Sequence, residues 1–110
     1  MTNLINYLNL AVSNAMDLTK RVAYRNKKIL AAANAEPCTI CGVEDGTTVL
    51  CHLDEQWAGK GMSQKADDCA GFFGCYECHR IYGAGTMEVI FVLRAYYRTI
   101  RRLIDIGVLK

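Results

Sequence analysis

The sequence predicts an α+β fold in which a small two-stranded core, held together by a four-cysteine zinc site, is flanked by N-terminal and C-terminal helices. Three observations predict this fold: two C-x-x-C pairs, a run of β-branched and apolar residues between them, and helical periodicity on either side. At 110 residues the chain has the length of one domain with a modest core. We expect residues 1–36 to form a helical extension and residues 37–110 to form the zinc-bound domain with its C-terminal helix, together one compact unit.

The N-terminal part of the chain has helical periodicity, and a helix is expected over residues 3–34, with a break near residues 17–19 left open. Its apolar positions are Leu4, Leu8, Ala11, Ala15, Leu18 and Val22. Pro37 ends the run, because the residue before a proline avoids helical geometry. Four asparagines interrupt the uncharged start, and no window reaches the roughly 18 apolar residues of a membrane span. We therefore expect a cytoplasmic protein with no membrane partner.

The centre of the chain predicts a β-hairpin. After the Asp45-Gly46 turn, residues 47–53 are rich in β-branched and apolar side chains and predict a strand. Residues 54–69 contain glycines and mixed charge, which indicate a loop. Residues 70–74 predict a second, shorter strand that closes the hairpin.

The C-terminal part predicts two helices. A short helix is expected after His79 as far as Gly83, and a longer one begins with Thr86 as its N-cap. Its arginines lie largely off the stripe that is expected to face the core. That stripe consists of Ile90, Leu93, Tyr97, Ile100 and Ile104.

The net charge of +2 hides a segregation of charge. Residues 18–35 contain five basic side chains and no acid, and residues 80–110 contain six basic side chains against two acids, whereas the middle is acidic. Basic flanks around a cysteine-rich centre suit a polyanionic partner that meets a metal site. Solvated helix faces explain the same charges equally well.

The two C-x-x-C pairs predict one structural zinc bound by Cys38, Cys41, Cys75 and Cys78. Four thiolates leave no coordination position for water, and the binding energy compensates for the small core. The segment between the pairs is longer than the usual 15–20 or so residues, so it should be a structure of its own. A redox dithiol is the main competitor for either pair alone. The remaining cysteines, Cys51 and Cys69, are expected to be small buried apolar residues.

The chain has two histidines, and each is placed next to a feature of this pattern. His52 lies in the predicted first strand, and His79 follows the second C-x-x-C pair directly. This order resembles the zinc-bearing HNH, or ββα-metal, nucleases. The stretches 25–30, 37–39, 47–53, 59–68 and 75–79, with the closing residues 107–110, are similar to the small YbcO-like phage and prophage nucleases. The similarity covers roughly residues 25–110.

The resemblance implies a nuclease domain in which His52 is the general base and His79 binds a catalytic divalent ion. Where the family has a middle asparagine, this chain has Asp67 and Asp68, and Asp68 aligns better. Asp68 is expected to bind the ion, Mg²⁺, Mn²⁺ or Ni²⁺, beside His79; orientation of His52 and a solvated turn are the alternatives. Cys51 stands where the family usually has a metal ligand, and is expected to serve packing because a thiolate is a poor ligand for magnesium.

The function expected from this resemblance is metal-dependent hydrolysis of DNA with little sequence specificity, in phage or prophage DNA metabolism or recombination inside a bacterial host. The side chains expected to hold flanking phosphates are Lys60, Lys65 and Arg80. A two-fold homodimer would allow both strands to be cut. The alternatives are a non-catalytic zinc-ribbon module that binds nucleic acid, and a phage adaptor protein, whose partner binding would not respond to salt.

Overall fold

The computed structural model describes residues 22–61 and 63–110, which form a mixed helix and two-strand fold. In chain order the elements are helix α1 (Lys27–Ala33), strand β1 (Val49–His52), a 3₁₀ turn (Gln56–Ala58), strand β2 (Gly71–Gly74), helix α2 (Tyr76–Gly83) and helix α3 (Val89–Asp105). Among the residues described, no helix has the length and apolar character that crossing a membrane requires.

Helix α1 begins later than the periodicity predicts. Asn26 caps it by accepting a hydrogen bond from the backbone N–H of Lys28, and residues 22–26 are not helical. The reason is tertiary: the backbone N–H of Tyr24 donates to the Asp67 carboxylate at 3.1 Å, and that of Asn26 donates to the Asp68 carboxylate at 2.7 Å. The prediction of one helix over residues 3–34 is therefore wrong for residues 22–26. The prediction is confirmed for Lys27–Ala33, and its part up to residue 21, including the break near residues 17–19, lies outside the described residues.

The predicted hairpin is confirmed with shorter strands. β1 and β2 pair antiparallel, with Val49 opposite Gly74 and His52 opposite Gly71. One step further, the Leu53 N–H donates to the Ala70 carbonyl at 2.9 Å and closes the base of the long loop. His52 and Gly71, which lie on either side of this loop, are therefore neighbours in space although the loop separates them in the sequence.

The two C-terminal helices are confirmed, but both starts differ from the prediction. α2 begins at Tyr76, because the Cys75 side chain accepts from the backbone N–H of Cys78 and caps the helix. Thr86 does not cap α3: its hydroxyl donates to the Ile81 carbonyl at 3.3 Å, and Glu88 takes the N-cap position.

The face of α3 that packs on the hairpin is not the predicted stripe. Ala95, Thr99 and Leu103 are buried, whereas Leu93 and Tyr97 from the predicted stripe are 60% and 66% exposed. Small side chains bring the helix close to β2, and the Thr99 hydroxyl accepts the backbone N–H of Phe73 at 2.9 Å. That contact satisfies a buried backbone donor, which an isoleucine or leucine at this position cannot do.

The core lies on both faces of the hairpin. Phe72 and Phe73 are fully buried and point to opposite faces of β2. Phe72 packs with Cys51 and Leu53 and makes an edge-to-face contact with the Tyr82 ring, with 5.3 Å between centroids. Phe73 belongs to a second cluster, which consists of Ile29, Ala33, Leu50, Phe73 and Leu103.

Gly71 is needed where the two strands approach. A Cβ at this position would lie 2.7 Å from the Cys51 carbonyl oxygen, a backbone atom that cannot move without distorting β1. We expect Gly71→Ala to lower the free energy of unfolding by about 1–3 kcal/mol in urea titrations. Gly83→Ala is the control, since nothing lies within 4 Å of its Cβ. Equal stabilities of the two variants would contradict the close approach.

Candidate metal centre and adjacent cleft

Two local structures present the four cysteines. The first pair lies on a turn that Gly42 completes with a φ of +79°, a conformation that favours glycine. In the second pair, Cys75 caps α2 and Cys78 follows in its first turn. The two structures meet because Thr39, inside the first pair, donates its backbone N–H to the Phe73 carbonyl at 2.8 Å, two residues before Cys75.

The predicted four-cysteine cluster is confirmed as a site compatible with zinc. The Sγ atoms of Cys38, Cys41, Cys75 and Cys78 all lie within 4.8 Å of one another. The sulfurs of Cys41 and Cys75 are 3.7 Å apart, close to the roughly 3.8 Å that a tetrahedron with zinc–sulfur bonds of about 2.3 Å requires. All four cysteines are free thiols and not disulfides. These four residues can hold a zinc ion through their thiolates. Among the described residues, no other group of three or more potential metal ligands lies close together.

Backbone donors favour the thiolate form of one cysteine of this cluster, Cys38. Burial raises the pKa of Cys38, but hydrogen bonds from the backbone of Cys41, Cys75 and Ile40 outweigh it and bring that pKa to about 7. Cys51 contrasts with it: burial raises its pKa to about 12, so it remains a thiol at neutral pH. Its sulfur packs where a Cβ on Gly74 would come within 2.7 Å, which supports the packing role expected for Cys51.

His52 and Asp68 form a hydrogen-bonded pair. His52 ends β1, and its Nε2 lies 2.8 Å from Oδ1 of Asp68. The Asp68 side chain is fully buried, and its other oxygen accepts the Asn26 N–H. Asp67 is also buried and accepts from the Tyr24 N–H, so the alternative of a solvated turn for these two residues is wrong.

The ionisation state of Asp68 determines which nitrogen of His52 carries the proton. Burial opposes ionisation, but the hydrogen bonds from His52 and Asn26 and the nearby charge of Arg25 outweigh it and lower the pKa of Asp68. At neutral pH its carboxylate is therefore only an acceptor, and Nε2 of His52 must be the donor. The neutral ring then carries its lone pair on Nδ1.

His52 and His79 line the same open cleft of about 200 Å³. Lys60 and Lys65, two of the three side chains predicted to hold phosphate, line it as well. The full set of lining residues is His52, Leu53, Asp54, Lys60, Lys65, Ala66, His79, Tyr82 and Gly83. Arg80 does not line this cleft, and its guanidinium is paired with Glu77.

Asp68 lies behind His52 and is not part of the cleft wall. Its two oxygens contact His52 and Asn26, and its side chain has no exposed surface. A catalytic ion needs a ligand oxygen that faces the substrate and water. These contacts favour the alternative role of Asp68, orientation of His52, over the metal-binding role expected from the sequence.

Two further polar residues belong to the site, and neither was expected there from the sequence. Asp54 lines the cleft, pairs with Lys60, and follows His52 by two residues, a spacing that places side chains on one side of an extended chain. Arg25 donates to the Ala66 carbonyl at 2.6 Å and lies 3.5 Å from the Asp68 carboxylate. The spacing could have identified Asp54, but Arg25 contacts Ala66 and Asp68 from 41 and 43 positions away.

Fold and site together define a small α+β protein with a four-cysteine centre that is compatible with zinc, and with a histidine cleft beside it. Comparison with protein-family models, with curated proteins and with solved structures gave no match.

Proposed function

We propose that this protein is an HNH-type endonuclease that hydrolyses phosphodiester bonds of DNA with little sequence specificity. The observation that carries the proposal is the pair of His52 and buried Asp68, which opens into a cleft shared with His79 and two lysines. A binding module does not need a histidine aligned by a buried carboxylate, whereas a general base does. The arrangement therefore favours an enzyme over a zinc ribbon or an adaptor.

His52 acts as the general base in the proposed mechanism. Its Nδ1 accepts a proton from a water molecule in the cleft, and the hydroxide that forms attacks phosphorus in line with the leaving oxygen. Asp68 fixes the ring and its tautomer through Nε2 and stabilises the imidazolium that results. Burial of Asp68 keeps competing water away from this hydrogen bond.

A divalent ion would be held by His79 together with Asp54, the carboxylate that lines the same cleft. When bound, Mg²⁺, Mn²⁺ or Ni²⁺ supplies charge stabilisation on the phosphate and the leaving oxygen. The lysine partner of Asp54, Lys60, is then free to contact phosphate.

Phosphate contacts in the cleft come from Lys60 and Lys65, with Arg80 on the neighbouring helix as an outer contact. Contacts of this kind provide affinity and register but carry no sequence information. Weak sequence specificity follows.

The proposal is tested with supercoiled plasmid incubated with the zinc-loaded protein plus Mg²⁺, Mn²⁺ or Ni²⁺. We expect nicked and linear products with added metal, and none in EDTA at a concentration that leaves the zinc bound. Asp54→Asn should impair cleavage supported by Mg²⁺ more than cleavage supported by Ni²⁺, because the hard ion depends more on the carboxylate.

The matched control is Glu55→Gln, which removes one exposed carboxylate at the next position, outside the cleft wall. It should cut like the wild type with every metal. Plasmid binding without cleavage under all of these conditions would favour the zinc-ribbon alternative instead.

A further inference from the structure

A pocket of about 540 Å³ lies next to the cleft and shares part of its wall. Leu53, Asp54 and Tyr82 line both the pocket and the cleft. The volume of the pocket is within the range of roughly 300–1,000 Å³ that is usual for small-ligand sites. A group bound in the pocket is therefore a direct neighbour of a group bound in the cleft.

The walls of the pocket are aromatic and aliphatic. Three rings line it, those of Trp57, Tyr82 and Tyr96, and the start of α3 adds aliphatic side chains such as Val92 and Leu93. Trp57 is 66% exposed, although a side chain of this size usually buries most of its surface. An exposed aromatic surface of this kind can stack on a flat ligand.

Contacts with the rest of the protein hold two of these residues in place. The 3₁₀ turn that carries Trp57 is anchored because Ala58 is buried and its carbonyl accepts the Asp67 N–H at 3.0 Å. Tyr96 donates its hydroxyl to the Cys69 carbonyl at 3.1 Å, which leaves its ring as an apolar part of the wall. A site that is ordered in advance loses little conformational entropy when a ligand binds.

Tyr82 lies where the pocket and the cleft meet. Its ring packs edge-to-face against Phe72, and its hydroxyl accepts the backbone N–H of Asp54 at 2.8 Å. Burial raises the pKa of Tyr82, so its hydroxyl is protonated at neutral pH. The bond from Asp54 does not use this proton, which the hydroxyl can donate to a phosphate oxygen. One side chain thus offers a donor to a phosphate and an aromatic ring to the pocket.

The distribution of charge favours a phosphate in the cleft and an uncharged group in the pocket. Lys60 and Lys65 line the cleft, whereas none of the described side chains that line the pocket is basic. A nucleotide has the matching composition, because one sugar joins its charged phosphate to a flat base. Every base has a π-face, so aromatic side chains can stack on any of the four.

We propose that the pocket binds an unpaired base of the DNA strand whose phosphate lies in the cleft, so that the substrate is single-stranded DNA or an unpaired stretch within a duplex. The inference rests on the proposed function, which places the phosphate beside His52. A paired base can enter a pocket only by leaving the stack, which costs free energy, whereas an unpaired base avoids this cost. Stacking tolerates every base, in agreement with weak sequence specificity.

Binding of single-stranded DNA to the full-length, zinc-loaded protein tests the inference. The measurement is made without added Mg²⁺, Mn²⁺ or Ni²⁺, so that binding is separated from cleavage. The probe is an end-labelled oligonucleotide of about 12 nucleotides, compared with the same sugar–phosphate chain without bases and with a duplex of the same sequence. We expect the single strand to bind at least about tenfold more tightly than the chain without bases. It should also quench the fluorescence of Trp57, the one tryptophan of the chain, and the duplex should not.

Trp57→Ala should weaken binding of the single strand by about 5–150-fold in fluorescence anisotropy, the effect of losing one stack between a base and an aromatic ring. Tyr97→Ala is the matched control. Tyr97 and Trp57 are both 66% exposed, but Tyr97 lines neither the pocket nor the cleft, so this variant should bind like the wild type. Zinc content measured on both variants shows that they are folded.

Three results would overturn the inference: equal binding of the strands with and without bases, wild-type affinity of Trp57→Ala for the single strand, and equal quenching of Trp57 by the duplex. None of them depends on plasmid cleavage. Base-dependent binding by a protein that cuts no plasmid would refute the nuclease proposal and support the pocket as a DNA-binding site. Cleavage by a protein that binds the chain without bases equally well would refute the inference alone.

Discussion

Replacement of Cys75 by serine is expected to abolish the folded state at neutral pH. The Cys75 sulfur lies 3.7 Å from that of Cys41, and it also accepts the backbone N–H of Cys78 to cap α2. A structural zinc contributes on the order of 10–16 kcal/mol in small domains, as much as the whole stability of a typical protein. Loss of one ligand removes most of that contribution. Circular dichroism and metal analysis should show loss of helix together with loss of one zinc per chain.

Cys69→Ser is the matched control for this loss. Cys69 is a free thiol outside the cluster, only partly buried, and its backbone carbonyl accepts a hydrogen bond from the hydroxyl of Tyr96 on α3. The variant should retain its zinc and its helical signal. A Cys75→Ser protein that unfolds at the wild-type temperature would show that the four thiols do not hold a structural metal.

The cluster and the hairpin could be predicted because the rules behind them are local. Two residues between cysteines allow one turn to present both sulfurs, whatever lies elsewhere in the chain. The strands around Cys51 and Phe72 follow in the same way from β-branched and aromatic side chains. What the sequence did not provide was the length of each element, because hydrogen bonds such as that from the Leu53 N–H to the Ala70 carbonyl close the hairpin from both sides.

The face of α3 was predicted wrongly because two stripes compete on one helix. Ile90, Leu93 and Tyr97 are larger and more apolar than Ala95 and Thr99, so periodicity selects them for the core. Which face of α3 enters the core depends on how that face fits against β2. There a small side chain is favoured, and so is a hydroxyl that accepts a hydrogen bond from the Phe73 N–H. The hydrophobicity of a single helix carries no information about the shape of the neighbouring strand, or about which backbone donors of that strand still need a partner.

Long-range polar contacts explain the remaining differences. Periodicity cannot show that the Asn26 N–H is bound by Asp68, 42 positions away, and so cannot place the start of α1. The sequence left two roles open for Asp68, and only its burial against His52 favours one of them. The pairing of Arg25 with the same carboxylate has no local sequence signal.

Replacement of His52 by alanine is expected to lower the cleavage rate by about 10²–10⁴-fold, the usual contribution of a general base. Plasmid affinity and zinc content should stay at wild-type values, because His52 is a cleft side chain that neither binds the zinc nor packs in the core. The measurement is single-turnover cleavage with saturating protein, which separates the chemical step from binding. His52→Ala, purified in parallel with the wild type, also serves as a control for contaminating nuclease, because the activity of a contaminant would persist in this variant.

Asp68→Asn tests whether Asp68 acts only by positioning His52, the residue that carries out the proposed proton transfer. The amide keeps the shape of the carboxylate but carries no charge to stabilise the imidazolium, and one of its ends presents a donor to either His52 or the Asn26 N–H. We expect a fall in the single-turnover rate that is smaller than that of His52→Ala, with plasmid affinity unchanged. The double variant should be no slower than His52→Ala alone, because Asp68 acts only through His52. Rates that multiply in the double variant would show that Asp68 has a separate role, such as binding the ion. Wild-type cleavage by His52→Ala would rule out the proposed base altogether.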